Sequence, residues 1–169
     1  VGAAPPGVER VEPGPGQESV WDYPRPPRVR PSTRRVVVIL GGVVIVDTTR
    51  ALRVLETSHP PSWYLPAADF RSGVVTPVAG ASYCEWKGVA QYVDLEAGGI
   101  CAERAGWFYP EPAVGLTALR DHLAVYPALM DSCTVDGDVV TAQAGGYYGG
   151  WITADLVGPF KGPAGTHGW

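Results

Sequence analysis

Glu56 and Lys87 are the residues whose types and neighbours point most directly to chemistry. Glu56 continues the face of Leu52 and Val54 along the alternating segment 51–57, which carries it to the rim of an apolar core. A carboxylate there resists ionisation unless it is paired, and it suits a general acid or base. The competing reading is a solvated strand end or an ion pair with an arginine. Lys87 follows Tyr83 and Glu85 on one face of a strand expected over 82–87, with Cys84 and Trp86 on the other. Gly88 beside it permits a bulge or a close backbone approach. A lone lysine among aromatics binds an anionic group or, once desolvated, acts as base or nucleophile; a surface pair with a glutamate is the alternative. His59, set before Pro60-Pro61, titrates near neutrality in water. An imidazole without a Ser or Cys motif beside it is more often a structural hydrogen-bonding group. His122 and His167 have no evident partners.

Rings are the richest feature. Trp63, Tyr64, Tyr83, Trp86, Trp107, Tyr109 and Tyr126 all fall in core segments, more amphipathic rings than a small core ordinarily takes. They predict a ring-lined pocket with a few convergent polar groups. Its expected catalytic pair is Glu56 and Lys87. Its expected ligand-binding residues are His59, Tyr64, Tyr83, Trp107, Tyr109 and Tyr126.

Other routes to chemistry are poorly represented. No G-x-x-x-x-G-K-[ST], G-x-S-x-G, H-E-x-x-H or G-x-G-x-x-G is present. Asp136 and Asp138 have a D-x-D spacing suited to metal-held phosphates, but Gly137 between them reads as a hairpin turn. Cys84, Cys101 and Cys133 are odd in number and widely spaced, so they form neither a disulfide framework nor an unaided four-Cys zinc site. No cofactor and no metal are expected. The bland reading of the thiols is a reducing compartment, hence a cytoplasmic protein.

The elements that must position these residues read as mostly β. The chain has 169 residues, 22 of them Gly and 17 Pro, an excess that favours turns and short strands over helices. Gly41-Gly42, Gly98-Gly99 and Asp136-Gly137 mark hairpins between strand-like runs. Pro66–Phe70 reads as a single helical turn. One helix is expected over 115–125, where Leu116, Leu119 and Leu123 share a stripe and Tyr126-Pro127 ends it. Residues 1–31 form a Pro-rich extended arm, with Val20, Trp21 and Tyr23 docking it onto the domain or a second subunit. The core domain is expected over 32–142. The tail, 143–169, is Gly-rich but carries Tyr147, Tyr148, Trp151, Phe160 and Trp169, as a segment packed on the core and lying over a pocket would. A net charge of −4 gives no reason to expect nucleic acid or membrane as a partner. No apolar run reaches the roughly 20 residues of a membrane span. Residues 1–16 lack the pattern of a signal peptide.

Several ordered motifs carry a family resemblance. Glu18-Ser19-Val20-Trp21-Asp22-Tyr23-Pro24-Arg25-Pro26-Pro27 leads to Ala51–Pro61, then to Tyr83-Cys84-Glu85-Trp86-Lys87-Gly88, Trp107-Phe108-Tyr109-Pro110 and the stretch from Val125-Tyr126-Pro127 to Asp131. Across about residues 18–160 the chain resembles the domain of unknown function family 427, widespread in bacteria and also carried under a nucleotidyltransferase heading. The resemblance implies a β-tent-like fold: two small antiparallel sheets pinned at one end, with a pocket between them. Some β-tent families hold a four-Cys zinc at the pin, a pattern from which this chain departs. It brings no established substrate. The leading functional expectation is a pocket for a small polar or aromatic metabolite, with cofactor-independent acid–base chemistry. The alternatives are a non-enzymatic interaction or homodimerisation module working through the arm or tail, and nucleotidyl transfer.

Overall fold

A computed structural model describes residues 3–169; Val1 and Gly2, at the start of the expected arm, lie outside the described residues. In chain order the strands are β1 (Glu18–Ser19), β2 (Arg28–Pro31), β3 (Val36–Leu40), β4 (Val43–Thr48), β5 (Leu52–Leu55), β6 (Ser62–Pro66) and β7 (Val75–Cys84). They continue with β8 (Gly88–Ala97), β9 (Ile100–Phe108), β10 (His122–Val125), β11 (Ser132–Val135), β12 (Asp138–Val139), β13 (Thr141–Ala142), β14 (Trp151–Ile152) and β15 (Leu156–Val157). An antiparallel sheet of seven strands runs β2-β5-β6-β10-β9-β8-β7, and one of four strands runs β12-β11-β3-β4. The protein is mostly β, and the helical pieces among the described residues are short 3-10 turns such as Ala67–Asp69. None is long and apolar enough to cross a membrane.

Alternation builds the two faces of the larger sheet. Trp63 and Leu65 of β6, Val93 and Leu95 of β8, and Leu123 and Val125 of β10 pack against Val36, Val38 and Leu40 of β3 and Ile45 and Val46 of β4. The space between the sheets is therefore filled with apolar side chains. Residues of opposite parity, Tyr64, Ala90, Tyr92 and Ala124, face the other way with Val54 and Trp107. The pocket lies on this outer face, and no residue of the four-stranded sheet lines it. That differs from the expectation of a pocket between two sheets: the residues singled out gather on the face of the large sheet that the smaller sheet does not cover.

The expected helix over 115–125 is absent. Thr117–Leu119 makes a 3-10 turn, Asp121 takes φ 61°, and His122–Val125 is a strand. The leucine spacing was misleading because its members serve different faces. Leu116 and Leu119 join the outer cluster, whereas Leu123 enters the core between the sheets. Hydrogen bonding to both β6 and β9 settles the segment as a strand, since a helix this short gains little on its own. The strand expected over 82–87 ends at Cys84; Glu85-Trp86-Lys87 is a three-residue hairpin loop, closed by the Cys84–Gly88 pair with Gly88 at φ 105°.

Arm and tail are built into the domain. The last four residues of the expected arm form β2, an edge strand of the large sheet. β1 runs parallel to β15, and Val20, Trp21 and Tyr23 pack with Leu55 and Leu156. Trp21 donates its indole N–H to Pro159 O at 2.9 Å and meets the Trp169 ring at 5.5 Å. The aromatics of both segments thus find partners within their own chain.

The two sheets touch backbone to backbone where two glycine turns meet. A Cβ on Gly41 would lie 2.2 Å from Ala97 O, and one on Gly98 would lie 1.9 Å from Gly41 O. Gly42, in the same turn at φ 72°, would meet nothing within 4 Å. Gly42→Ala is expected to cost about 1 kcal/mol, the strain of a left-handed backbone alone. Gly41→Ala and Gly98→Ala add a backbone collision and are expected to cost more than about 2 kcal/mol. Urea titration of the three variants checks the ranking; equal losses would mean that the turns do not bear on each other.

Candidate functional site

The outer face of the large sheet is the floor of a cavity of about 430 Å³. Val54 of β5, Ser62 and Tyr64 of β6, Ala90 and Tyr92 of β8, and Trp107 of β9 reach it from the sheet. The 85–87 loop closes one side. The tail segment from Gly146 to Gly149 closes another, and Lys161 enters from further along the tail. All eight residues singled out from sequence line this one cavity: Glu56, His59, Tyr64, Tyr83, Lys87, Trp107, Tyr109 and Tyr126. Tyr83 stands at the rim, 74% exposed, whereas Tyr64, Trp107 and Tyr109 are buried.

Glu56 and His59 are the two ends of one tight turn. His59 N–H donates to Glu56 O at 3.1 Å, and Ser58 between them takes φ 73°. For a non-glycine residue that conformation persists only when its surroundings enforce it. The arm supplies part of the enforcement: Thr57 N–H and Oγ1 bond to Pro24 O and Tyr23 O, and Ser58 N–H to Val20 O. The tail supplies the rest, since Ser58 O accepts from Lys161 N–H at 2.9 Å. The Ser58 hydroxyl is buried without a partner, a further sign that this residue is present for its backbone.

The tail also fixes the state of His59. The Gln143 side-chain oxygen accepts from Gly150 N–H at 3.1 Å, and its amide nitrogen donates to Lys161 O at 2.8 Å. That nitrogen also lies 3.3 Å from His59 Nδ1. An amide NH2 can only donate, so Nδ1 accepts and the imidazole proton sits on Nε2. Burial first, then the charges of Lys161, Lys87 and Arg25, push the His59 pKa down to about 3. His59 is therefore neutral, its Nδ1 lone pair is engaged, and Nε2 lies 4.0 Å from Glu56 Oε1, beyond hydrogen-bond distance. In that state it has an N–H to give and no free lone pair with which to take a proton. Glu56, 18% exposed, also faces Arg25 Nε at 3.8 Å, so the arginine pairing foreseen for it coexists with its place at the cavity.

The rings form a connected wall. Trp107 donates its indole N–H to Tyr64 Oη at 3.1 Å; Tyr109 lies 6.3 Å from Tyr64, and Tyr126 lies 4.5 Å from Trp107. Burial holds the Tyr64 and Tyr109 phenols well above their usual pKa, so both keep their protons. Tyr148 of the tail meets His59 edge-on at 4.7 Å and has Lys161 Nζ 5.4 Å above its ring. Sequence reasoning left Lys161, Gln143, Tyr92, Tyr148 and Arg25 out of the site. Tyr148 carried a signal as one of the rings of a tail expected to lie over a pocket, and Lys161 as one of two lysines in the chain.

The D-x-D carboxylates are already engaged. Asp136 accepts from Arg35 N–H and faces Arg34, and Asp138 accepts from Ala154 N–H, so the D-x-D pair braces a hairpin. Cys84 lines the cavity, Cys101 is exposed and Cys133 is buried between the sheets; all are free thiols. Among the described residues no three His, Cys, Asp or Glu side chains gather as a metal site would require.

The depressed pKa of His59 sets a pH dependence. Its folded value of about 3 lies below the ordinary 6.5. The unfolded chain therefore takes up the proton first as pH falls. The stability due to neutral His59 is complete above about pH 6.5 and is lost on acidification toward 3, with a slope of at most about 1.4 kcal/mol per pH unit. Urea titrations between pH 7 and 4 are expected to show this slope in the native chain and a shallower one in His59→Gln. Parallel curves would show that His59 is not held neutral.

None of the curated proteins compared with this chain matches it. The family described as Domain of unknown function (DUF427) matches residues 28–136, which run from β2 through the sheet and the 85–87 loop to the turn after β11. The chain belongs to that family.

Proposed function

We propose that the protein binds a small, ring-bearing metabolite in this cavity, with Glu56 as the proton acceptor of a cofactor-independent reaction. The single observation that carries the reading is the convergence of buried rings and polar groups on one hollow of ligand size. Tyr64, Trp107 and Tyr109 offer flat walls, and the two phenols carry polar tips. His59 offers an N–H whose direction is fixed by Gln143. With the imidazole lone pair engaged and the phenols protonated, the carboxylates Glu56 and Glu85 remain to take a proton, and Glu56 is the one carried by the braced turn while Glu85 lies on the hairpin loop. Of the tent-like arrangement implied by the family resemblance, the pinning of two sheets at one end is supported by the meeting of the Gly41 and Gly98 turns.

Thiol chemistry gives a direct test. Cys84 lines the cavity, while exposed Cys101 on β9 is an internal control. Alkylation by iodoacetamide, followed by peptide mass spectrometry, is expected to slow severalfold at Cys84 when phenol or benzyl alcohol is present at millimolar concentration. The rate at Cys101 should not change. An unchanged Cys84 rate with both probes would sink the reading. Glu56→Gln is expected to keep the protection, and to lower the turnover of any substrate by about 10²-fold or more.

A further inference from the structure

The chain contains two lysines, Lys87 and Lys161, against a combined 13 Lys and Arg. Both line the same cavity, although they lie far apart in sequence. The arginines are used differently: Arg10, Arg25, Arg34, Arg35, Arg50 and Arg53 each face a carboxylate within 3.8 Å. Among the described residues, neither lysine has a carboxylate partner within salt-bridge distance. Lys161 is only 9% exposed, and its ammonium donates to Trp169 O at 3.3 Å, which leaves further N–H groups unassigned. An ammonium at a cavity wall with no carboxylate side chain against it is placed to meet an arriving anionic group.

The rest of the lining agrees. His59 keeps an N–H on Nε2, and the phenols of Tyr64 and Tyr109 keep their protons, so neither the imidazole nor the phenols add negative charge to the hollow. Two carboxylates line it: Glu56, already faced by Arg25, and Glu85, on the hairpin loop. Burial and the nearby Arg25 lower the Lys161 pKa, partly countered by Glu56, and an arriving anion would reverse that shift.

Resting on the ring-binding reading above, we propose that the ligand is a ring-bearing oxyanion, a carboxylate or phosphate ester, whose charged group is received by Lys87 and Lys161. Lysine suits such a group, because its ammonium is a mobile point charge that follows an oxyanion without the fixed fork of a guanidinium.

The test titrates the full chain, labelled with nitrogen-15, with benzoate, phenyl phosphate and the neutral isostere benzamide, and follows amide shifts. One or both oxyanions are expected to bind about tenfold or more tighter than benzamide, and to weaken as salt is raised. Whichever is tighter distinguishes carboxylate from phosphate. Lys87→Gln lies on a hairpin loop outside the core, so its fold is secure; it is expected to remove most of that preference while leaving benzamide binding unchanged. Lys161→Gln should do the same, and Lys161→Arg should retain the preference, which separates lost charge from lost packing. Equal binding of all three probes, insensitive to both lysine substitutions, would overturn the oxyanion assignment and leave the ring-binding cavity standing. Absence of shifts with any probe would overturn both.

Discussion

The turn from Glu56 to His59 is the constraint on which the site depends. It ends a sheet strand, reverses through Ser58 in a left-handed conformation, and delivers a carboxylate and an imidazole to the same hollow. That conformation has only part of its cost offset within the turn, by the bond from His59 N–H to Glu56 O. It is imposed from outside, by backbone hydrogen bonds to Val20 and Pro24 in the arm and to Lys161 in the tail. Arm and tail are in turn joined to each other through β1 and β15 and through Trp21. Two segments that look like appendages in the sequence therefore form a clamp, and releasing either would free the backbone that aims Glu56 and His59.

The same tail sets the electrostatics. Gln143 spends both hydrogens of its amide nitrogen on Lys161 O and His59 Nδ1, while Gly150 N–H fixes its oxygen. One side chain thus decides the tautomer of the imidazole and holds the segment that carries the buried lysine. Protonating His59 would place a second cation beside Lys161 in a poorly hydrated site and would leave Gln143 opposing an N–H. Neutral His59 and charged lysines are consistent only as a set.

Much of the site was legible because strand alternation is a short-range rule. Tyr64, Trp107 and Glu56 could be assigned from their own neighbours, and the hairpins followed from Gly-Gly and Asp-Gly pairs whose backbone few other residues adopt. The failures share a different cause. Leu116, Leu119 and Leu123 have helical spacing, yet two belong to the outer face and one to the core, a division fixed by β6 and β9 and invisible in the segment itself. Lys161 and Gln143 reach the site through contacts with residues about a hundred or eighty positions earlier, which no local period records. The pocket's side of the sheet was misjudged for the same reason, since local alternation separates two faces without saying which one another sheet will cover.

That last ambiguity was resolved by size. The inner face of the large sheet carries branched and bulky chains that interlock with β3 and β4, and at the glycine turns the two sheets approach too closely for even a methyl group. The outer face is covered instead by loops and by a tail rich in glycine, which bridges the floor without filling it. Gly149, where a Cβ would strike Trp107 at 2.1 Å, lets the tail backbone lie directly on the floor ring, while Tyr147 and Tyr148 next to it stand at the cavity's edge. A hollow arises where a sheet face bearing rings is roofed by backbone instead of side chains. The cavity and the clamp that shapes its chemistry are therefore two consequences of one arrangement, a tail laid across the outer face of a sheet.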